Sequence, residues 1–249
     1  MLVLLPPSET KRPGGEGPPL DLEGLALTLL REPRDAVVDA LVALAADEDL
    51  AARVLKLSEK RRHEIADNAA LRTAATMPAI DRYTGVLFDA LDAAGLDADA
   101  RAWLGEHIMI HSAPFGPVGA LDGIPAYRLA AGTSIPGLPA LRRVWAHAVT
   151  DALAELRPGF VLDLRSEAYA ALGPVPTGVS SVYVRVVTPG EGGAVRALNH
   201  FNKHAKGDLV RSLALTRPRI ESLGEFREWA RAAGWALQDA DAGEIALIV

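Results

Sequence analysis

Short apolar runs of strand length alternate with longer stretches of helical period along this chain, and that alternation limits its fold more than any other feature. Leu2-Val3-Leu4-Leu5, Phe160-Val161-Leu162-Asp163-Leu164 and the alternating Val182, Val184 and Val186 are strand candidates separated by helix-length segments. Interleaving of this kind predicts an α/β or α+β domain. The expected form is a single mixed-sheet domain over residues 1–249, surrounded by helices and carrying a helical N-terminal insertion over about residues 21–75.

The remaining elements follow from period and punctuation. Leu22, Leu25, Leu29, Leu30, Val37, Val38, Leu41 and Leu44 recur at helical steps, with Pro33 read as separating two helices and Ser58 as the N-cap of a later one. Short helices are expected near Val86–Leu91 and Ala100–Leu104, then a strand at His107–His111. A long irregular loop is expected through Gly116, Pro117, Gly119, Gly123 and Pro125. The clearest helix begins at Pro139 and carries the stripe Leu141, Val144, Trp145, Ala148, Ala152 and Leu156. Val182–Val186 reads as a hairpin with Ala194–Leu198 across Pro189–Gly193. Helices at Lys203–Leu215 and Ser222–Ala233 and strands at Trp235–Gln238 and Glu244–Val249 complete the chain.

Composition removes several functions. With no cysteine, disulfides, thiolate metal sites and cysteine nucleophiles are excluded, and a cytoplasmic home is the default expectation. No apolar run approaches the roughly 20 residues of a membrane-spanning helix, so no membrane partner is expected. The 32 acidic residues outnumber the 26 basic ones, and the net charge of -6 opposes indiscriminate coating of nucleic acid. Phosphate-loop, dinucleotide, HExxH and GxSxG patterns are missing from the sequence, and no cofactor is expected.

Two constellations carry chemistry. Lys11, Arg128, Asp163, Glu167 and Tyr169 fall at or just after the ends of strand candidates, where layered α/β folds gather a crevice. Asp163 interrupts an apolar run, and a buried carboxylate needs a cation, so Arg128 or Lys11 is its expected partner; the pair is either structural or functional. The second group is Lys203, Lys206 and Arg211 on one helix, with Gly207 permitting close backbone approach and phosphate contact as the expected role. His107 and His111 are four apart, but in a strand they stand about 13 Å from one another, too far to share an ion, and no metal site is expected.

Several segments together resemble the peroxide stress protein YaaA family. They are Leu4-Leu5-Pro6-Pro7-Ser8-Glu9-Thr10-Lys11, Tyr83-Thr84-Gly85, His107 to Asp122, Pro125-Ala126-Tyr127-Arg128-Leu129, Trp145, Asp163-Leu164-Arg165-Ser166-Glu167-Ala168-Tyr169, and Phe201-Asn202-Lys203-His204-Ala205-Lys206-Gly207. The resemblance spans nearly the whole chain in order. It implies a bacterial, cytoplasmic, one-domain protein that protects against hydrogen peroxide and iron-dependent damage. It also implies DNA binding through a helix-hairpin-helix element, for which Val54–Leu71 is the local candidate. This chain departs from the family pattern in placing Lys11 after Thr10, and in carrying Gly119-Ala120 where an Arg-Pro pair is usual.

Two readings of function follow. In the first, Lys11, Arg128, Lys203, Lys206 and Arg211 contact DNA phosphates in a basic cleft, with salt-dependent affinity. In the second, the protein is an enzyme acting on a nucleobase or other small polar molecule, with Asp163 or Glu167 as acid or base. Lys11 and Arg128 would then hold an anionic group, and Tyr169 would donate a hydrogen bond or stack.

Overall fold

The computed structural model describes residues 1–187 and 199–249, with only the helical backbone described at 199 and 200. In chain order the strands are β1 (Leu2–Leu5), β2 (Met77–Pro78), β3 (Ile108–Ser112), β4 (Gly116–Gly119), β5 (Gly123–Ile124), β6 (Val161–Asp163), β7 (Ser181–Val187), β8 (Ala236–Asp239) and β9 (Glu244–Ile248). The α-helices are α1 (Arg31–Ala45), α2 (Glu48–Val54), α3 (Glu64–Ala69), α4 (Ala79–Arg82), α5 (Val86–Leu91), α6 (Ala98–His107), α7 (Leu141–Leu156), α8 (Glu167–Ala170), α9 (Asn199–Thr216) and α10 (Leu223–Ala232).

Seven strands form one mixed sheet in the order β4-β3-β1-β6-β7-β9-β8, and β2 pairs with β5 in a separate two-stranded ladder. The five inner strands β3, β1, β6, β7 and β9 are mutually parallel, and the edges β4 and β8 run antiparallel. Parallel strands carry helices on both faces and therefore read as unbroken apolar runs, which is why all four residues of β1 are buried. β7 instead alternates, burying Val182, Val184 and Val186 and turning Ser181, Tyr183 and Arg185 the other way. The α/β expectation is met, and the helical segment between β1 and β2 contains α1, α2 and α3.

The strand order locates a crevice. From β1 the chain steps to β3 on one side and then returns to β6 on the other, so the winding reverses between β1 and β6. At such a switch point the connecting loops diverge and leave an opening beyond the carboxyl ends of the strands.

Several local expectations change. Pro33 sits in the first turn of α1, where its missing N–H costs no helical hydrogen bond, and does not separate two helices. Ser58 precedes a single 3-10 turn, Glu59–Arg61, and its hydroxyl caps nothing. The Gly/Pro-rich segment after β3 is no simple loop: Gly116–Gly119 pairs with β3 as an edge strand, where Pro117 is tolerated because an edge has a free side. β7 has β6 and β9 as its neighbours, and the expected hairpin partner Ala194–Leu198 lies outside the described residues.

Buried arginines tie down the irregular segments. Arg34, fully buried, donates to the carbonyls of Ala26 (2.7 Å), Phe115 (2.8 Å) and Pro117 (2.9 Å). Arg82, also fully buried, reaches Arg12 O at 2.6 Å and Ile124 O at 3.0 Å. Carbonyls that no ladder satisfies are thereby paired.

Candidate functional site

Pro6-Pro7 ends β1 by removing two backbone donors, and the chain then turns into Ser8–Lys11. That loop is fixed against Thr84-Gly85: Thr84 N–H donates to Thr10 O at 3.1 Å, and the Thr10 hydroxyl donates to Thr84 O at 3.2 Å. Gly85 adopts φ +96°, and a Cβ there would stand 3.3 Å from the hydroxyl oxygens of both Ser8 and Thr10. Across the switch point, Leu164 N–H donates to Leu4 O at 2.8 Å, which pins the end of β6 before α8 begins.

Between these loops, β7 and α9 lies a cleft of about 950 Å³, whose walls include Pro6, Ser8, Phe88, Glu167, Tyr183 and Lys206. A smaller recess of about 260 Å³ adjoins it beside Leu129–Gly132 and shares Ser8, Glu9 and Tyr169 with it. α9 approaches α5 closely because Gly207 lacks a side chain: a Cβ there would fall 2.2 Å from Leu87 O. The close approach expected of Gly207 therefore serves helix packing.

Asp163 is buried and paired, but with Arg165 in place of Arg128 or Lys11. The Arg165 backbone N–H and Nε donate to Oδ1 at 3.0 and 2.9 Å, and Nη2 donates to Oδ2 at 2.6 Å. The two-residue spacing lets one turn close both a backbone and a side-chain contact on the same carboxylate. Arg165 Nη1 also donates to Gly173 O at 2.8 Å and to His111 Nδ1 at 2.9 Å. Nδ1 is thus an acceptor, the proton lies on Nε2, and burial together with Arg165 holds the imidazole neutral. His107, at the end of α6, instead bonds Met1 O through Nδ1 at 2.8 Å.

The other expected residues divide. Arg128 is nearly buried and lies 3.2 Å from Glu9 and 3.6 Å from Glu64. Lys11 Nζ lies 3.9 Å from the centre of the Tyr127 ring and donates to Ser8 O at 3.2 Å. Loss of solvent there, with Arg128 nearby, brings its pKa down to about 7 against the pull of Glu64, Glu9 and Asp67. Tyr169 borders both hollows, and burial pushes its hydroxyl pKa up. Glu167, largely exposed, pairs with Arg185 at 2.9 Å.

Of the three α9 cations, Lys203 is exposed on the cleft wall. Lys206 is buried, also on the cleft wall, and donates from Nζ to Leu164 O at 2.9 Å. Its pKa is brought down to about 8 by burial, with Asp163 opposing and Arg185 adding to the fall. Arg211 lies further along α9 and bonds Leu91 O (2.9 Å) and Asp92 O (2.8 Å) at the end of α5. It caps that helix's free carbonyls. Val54–Leu71 holds the end of α2, a 3-10 turn and the six-residue α3.

Arg165 and Arg185 are site-region residues that the sequence reading did not single out, and His111 was weighed there only as a metal ligand. Arg185 was legible as the outward residue between Val184 and Val186, whereas nothing in the sequence brings His111 to Arg165.

Fold and site together define an α/β protein of doubly wound topology with a polar cleft at its switch point. Residues 1–241 match the family described as peroxide stress protein YaaA. A UPF0246 protein of Corynebacterium efficiens is 44% identical over 242 residues, covering 96% of this chain and 95% of the relative. A UPF0246 protein of Streptomyces coelicolor is 42% identical over 240 residues, covering 96% and 92%. The chain belongs to the peroxide stress protein YaaA family, and its role lies in the response to peroxide stress. Among the described residues no helix is long and apolar enough to cross a membrane.

Proposed function

We propose that this protein serves the peroxide response through the switch-point cleft, by binding and acting on a small polar molecule there. The observation that carries the reading is the cleft itself, about 950 Å³ at the carboxyl ends of β1 and β6, with the buried amine of Lys206 on its wall. Such a volume suits a small ligand, and the mixed lining of Phe88 and Tyr183 with Ser8, Glu167 and Asn202 suits a polar one.

The backbone-contact reading for DNA has less support from the same residues. Lys11, Arg128, Lys206 and Arg211 are each engaged by carbonyls or carboxylates of the protein, which leaves Lys203 as the exposed cation of the five. One exposed lysine on a chain of net charge -6 gives little counterion release.

Two measurements test the reading: survival of hydrogen peroxide by cells carrying Lys206→Met, and fluorescence anisotropy of a labelled duplex at low and high salt. The expected result is lost protection with a folded protein, and duplex affinity that is weak and indifferent to Lys203→Ala. Tight duplex binding that weakens with salt and with Lys203→Ala overturns it.

A further inference from the structure

Lysine is scarce in this chain: of its 26 cationic side chains, 21 are arginine and five are lysine. Where the fold needs a fully buried structural cation it uses Arg34, Arg82 or Arg165, each wrapped in protein acceptors. Lys206 departs from that habit. Its side chain is buried, yet Nζ has one protein acceptor, Leu164 O, for three donors. Among the described residues no carboxylate lies within 4 Å of it, since Asp163 is taken up by Arg165.

We propose that Lys206 captures a carbonyl ligand covalently, its amine forming an imine with a small aldehyde or ketone bound in the cleft. The proposal rests on the reading of the cleft as the working site and names the class of molecule it takes. Arginine in the same place would be a permanent cation, whereas a desolvated lysine can lose its proton and attack. The groups facing Lys206 act in that sense. Arg185 on β7 and burial both favour the neutral amine, and Asp163 on β6 opposes them. The Tyr183 ring stands 5.7 Å from Nζ, and Glu167 and Lys203 share the same cleft. With the pKa near 8, about a tenth of the amine is free base at pH 7, several hundredfold more than for an ordinary surface lysine.

The step balances without an oxidant. The nitrogen lone pair forms the C–N bond as the carbonyl π pair moves onto oxygen, and a proton passes from nitrogen to that oxygen to give a carbinolamine. The C–O bond then breaks, oxygen leaves as water with one further proton, and nitrogen closes the C=N bond. Two carboxylates line the cleft, Glu9 and Glu167, and Glu167, which shares its wall with Tyr183 and Lys206, is the one we assign to relay these protons.

The test is reductive trapping of the full-length protein with glyoxylate, pyruvate or pyridoxal phosphate and borohydride, read by intact mass and peptide mapping. Peptide mapping scores Lys206 apart from Lys11, whose pKa is about 7, and from the α-amino group, a class of amine that ordinarily titrates at about 8. At pH 7 the Lys206 adduct is expected to form at least about tenfold faster than on the exposed Lys56 and Lys60, with half-maximal rate near pH 8. Lys206→Arg, which keeps the charge, and Lys206→Met, which keeps the length, should each remove it, with folding checked by circular dichroism. Labelling of the Lys206 peptide by none of the three probes beyond the level of Lys56 and Lys60, or an adduct on that peptide that survives in Lys206→Arg, overturns the proposal. Failure of the cleft reading shows separately, as wild-type peroxide survival in cells carrying Ser8→Trp, which fills the cleft from the opposite loop and leaves Lys206 in place.

Discussion

Asp163 and Leu164 are adjacent in sequence, yet the charges each gathers are organised oppositely. The Asp163 carboxylate and the Arg165 guanidinium are both buried, and four donors of Arg165 have acceptors on Asp163, His111 and Gly173. The Leu164 carbonyl holds one buried ammonium whose other donors find no carboxylate among the described residues. The first cluster is closed and works as framework, locking the turn after β6. The second is left incomplete on a cleft wall, where a ligand can complete it. Burial of a charge is therefore no guide to function by itself, whereas burial with an incomplete partner set, facing a cavity, is.

Asp163→Ala leaves Arg165 buried without its counter-charge, and a loss of about 3–5 kcal/mol in urea denaturation is expected. Lys206→Met, of similar length and without a charge to desolvate, should lose less than about 1 kcal/mol at pH 7. Equal losses in the two variants would erase the distinction between framework and site. The next effect in size is Gly207→Ala, which forces α9 away from Leu87 O; about 1–3 kcal/mol of destabilisation is expected from the same unfolding curves.

Much of the fold was legible because its inner strands are buried on both faces. Leu2–Leu5 and Val161–Leu164 read as unbroken apolar runs, and α7 as a stripe, so α/β architecture followed without knowledge of strand order. The edge strand β4 was not legible, since Gly116, Pro117 and Gly119 carry turn chemistry and only the pairing with β3 makes them a strand. The site was legible as a set of segments and less so as contacts. Of the residues read at strand ends, Glu167 and Tyr169 line the cleft, as does Lys206, which was read on a helix. It could not show that Asp163 would be met two residues later by Arg165, because a buried carboxylate announces only that some cation is near. Nor could it separate Lys203 from Lys206, three apart on α9, since which of them is buried depends on how α9 lies against β7.

A smaller effect sharpens the comparison through pH. Lys206 has a folded pKa near 8 and an ordinary unfolded value near 10.5, so between these limits the unfolded chain holds the proton more tightly. Stability therefore climbs as pH rises from about 8 to 10.5 and is flat in this group's contribution below 8. Lys11, with a folded value near 7, contributes in the same sense from lower pH. Unfolding free energies from urea titrations at pH 7.5 and 9.5 should rise by about 2 kcal/mol less in Lys206→Met than in wild type. An identical rise would mean that the Lys206 amine is solvated.

The smallest expected change is the most specific. Glu167 and Arg185 form an exposed pair at 2.9 Å, and Glu244 holds the same guanidinium from β9. Glu167→Gln should therefore cost at most about 1 kcal/mol in stability. In the cleft it removes the proton relay, which lowers the trapping rate at every pH, and it also changes the field at Lys206, which shifts the pH profile. With one of its two carboxylates removed, Arg185 presents more positive charge to Lys206, which moves the amine's half-titration to lower pH by a fraction of a unit. The pH dependence of reductive trapping at Lys206 reads that shift directly. A profile displaced toward acid with unchanged stability would place Arg185 among the groups that set the reactivity of the amine, and a displacement toward alkali would remove it from that role.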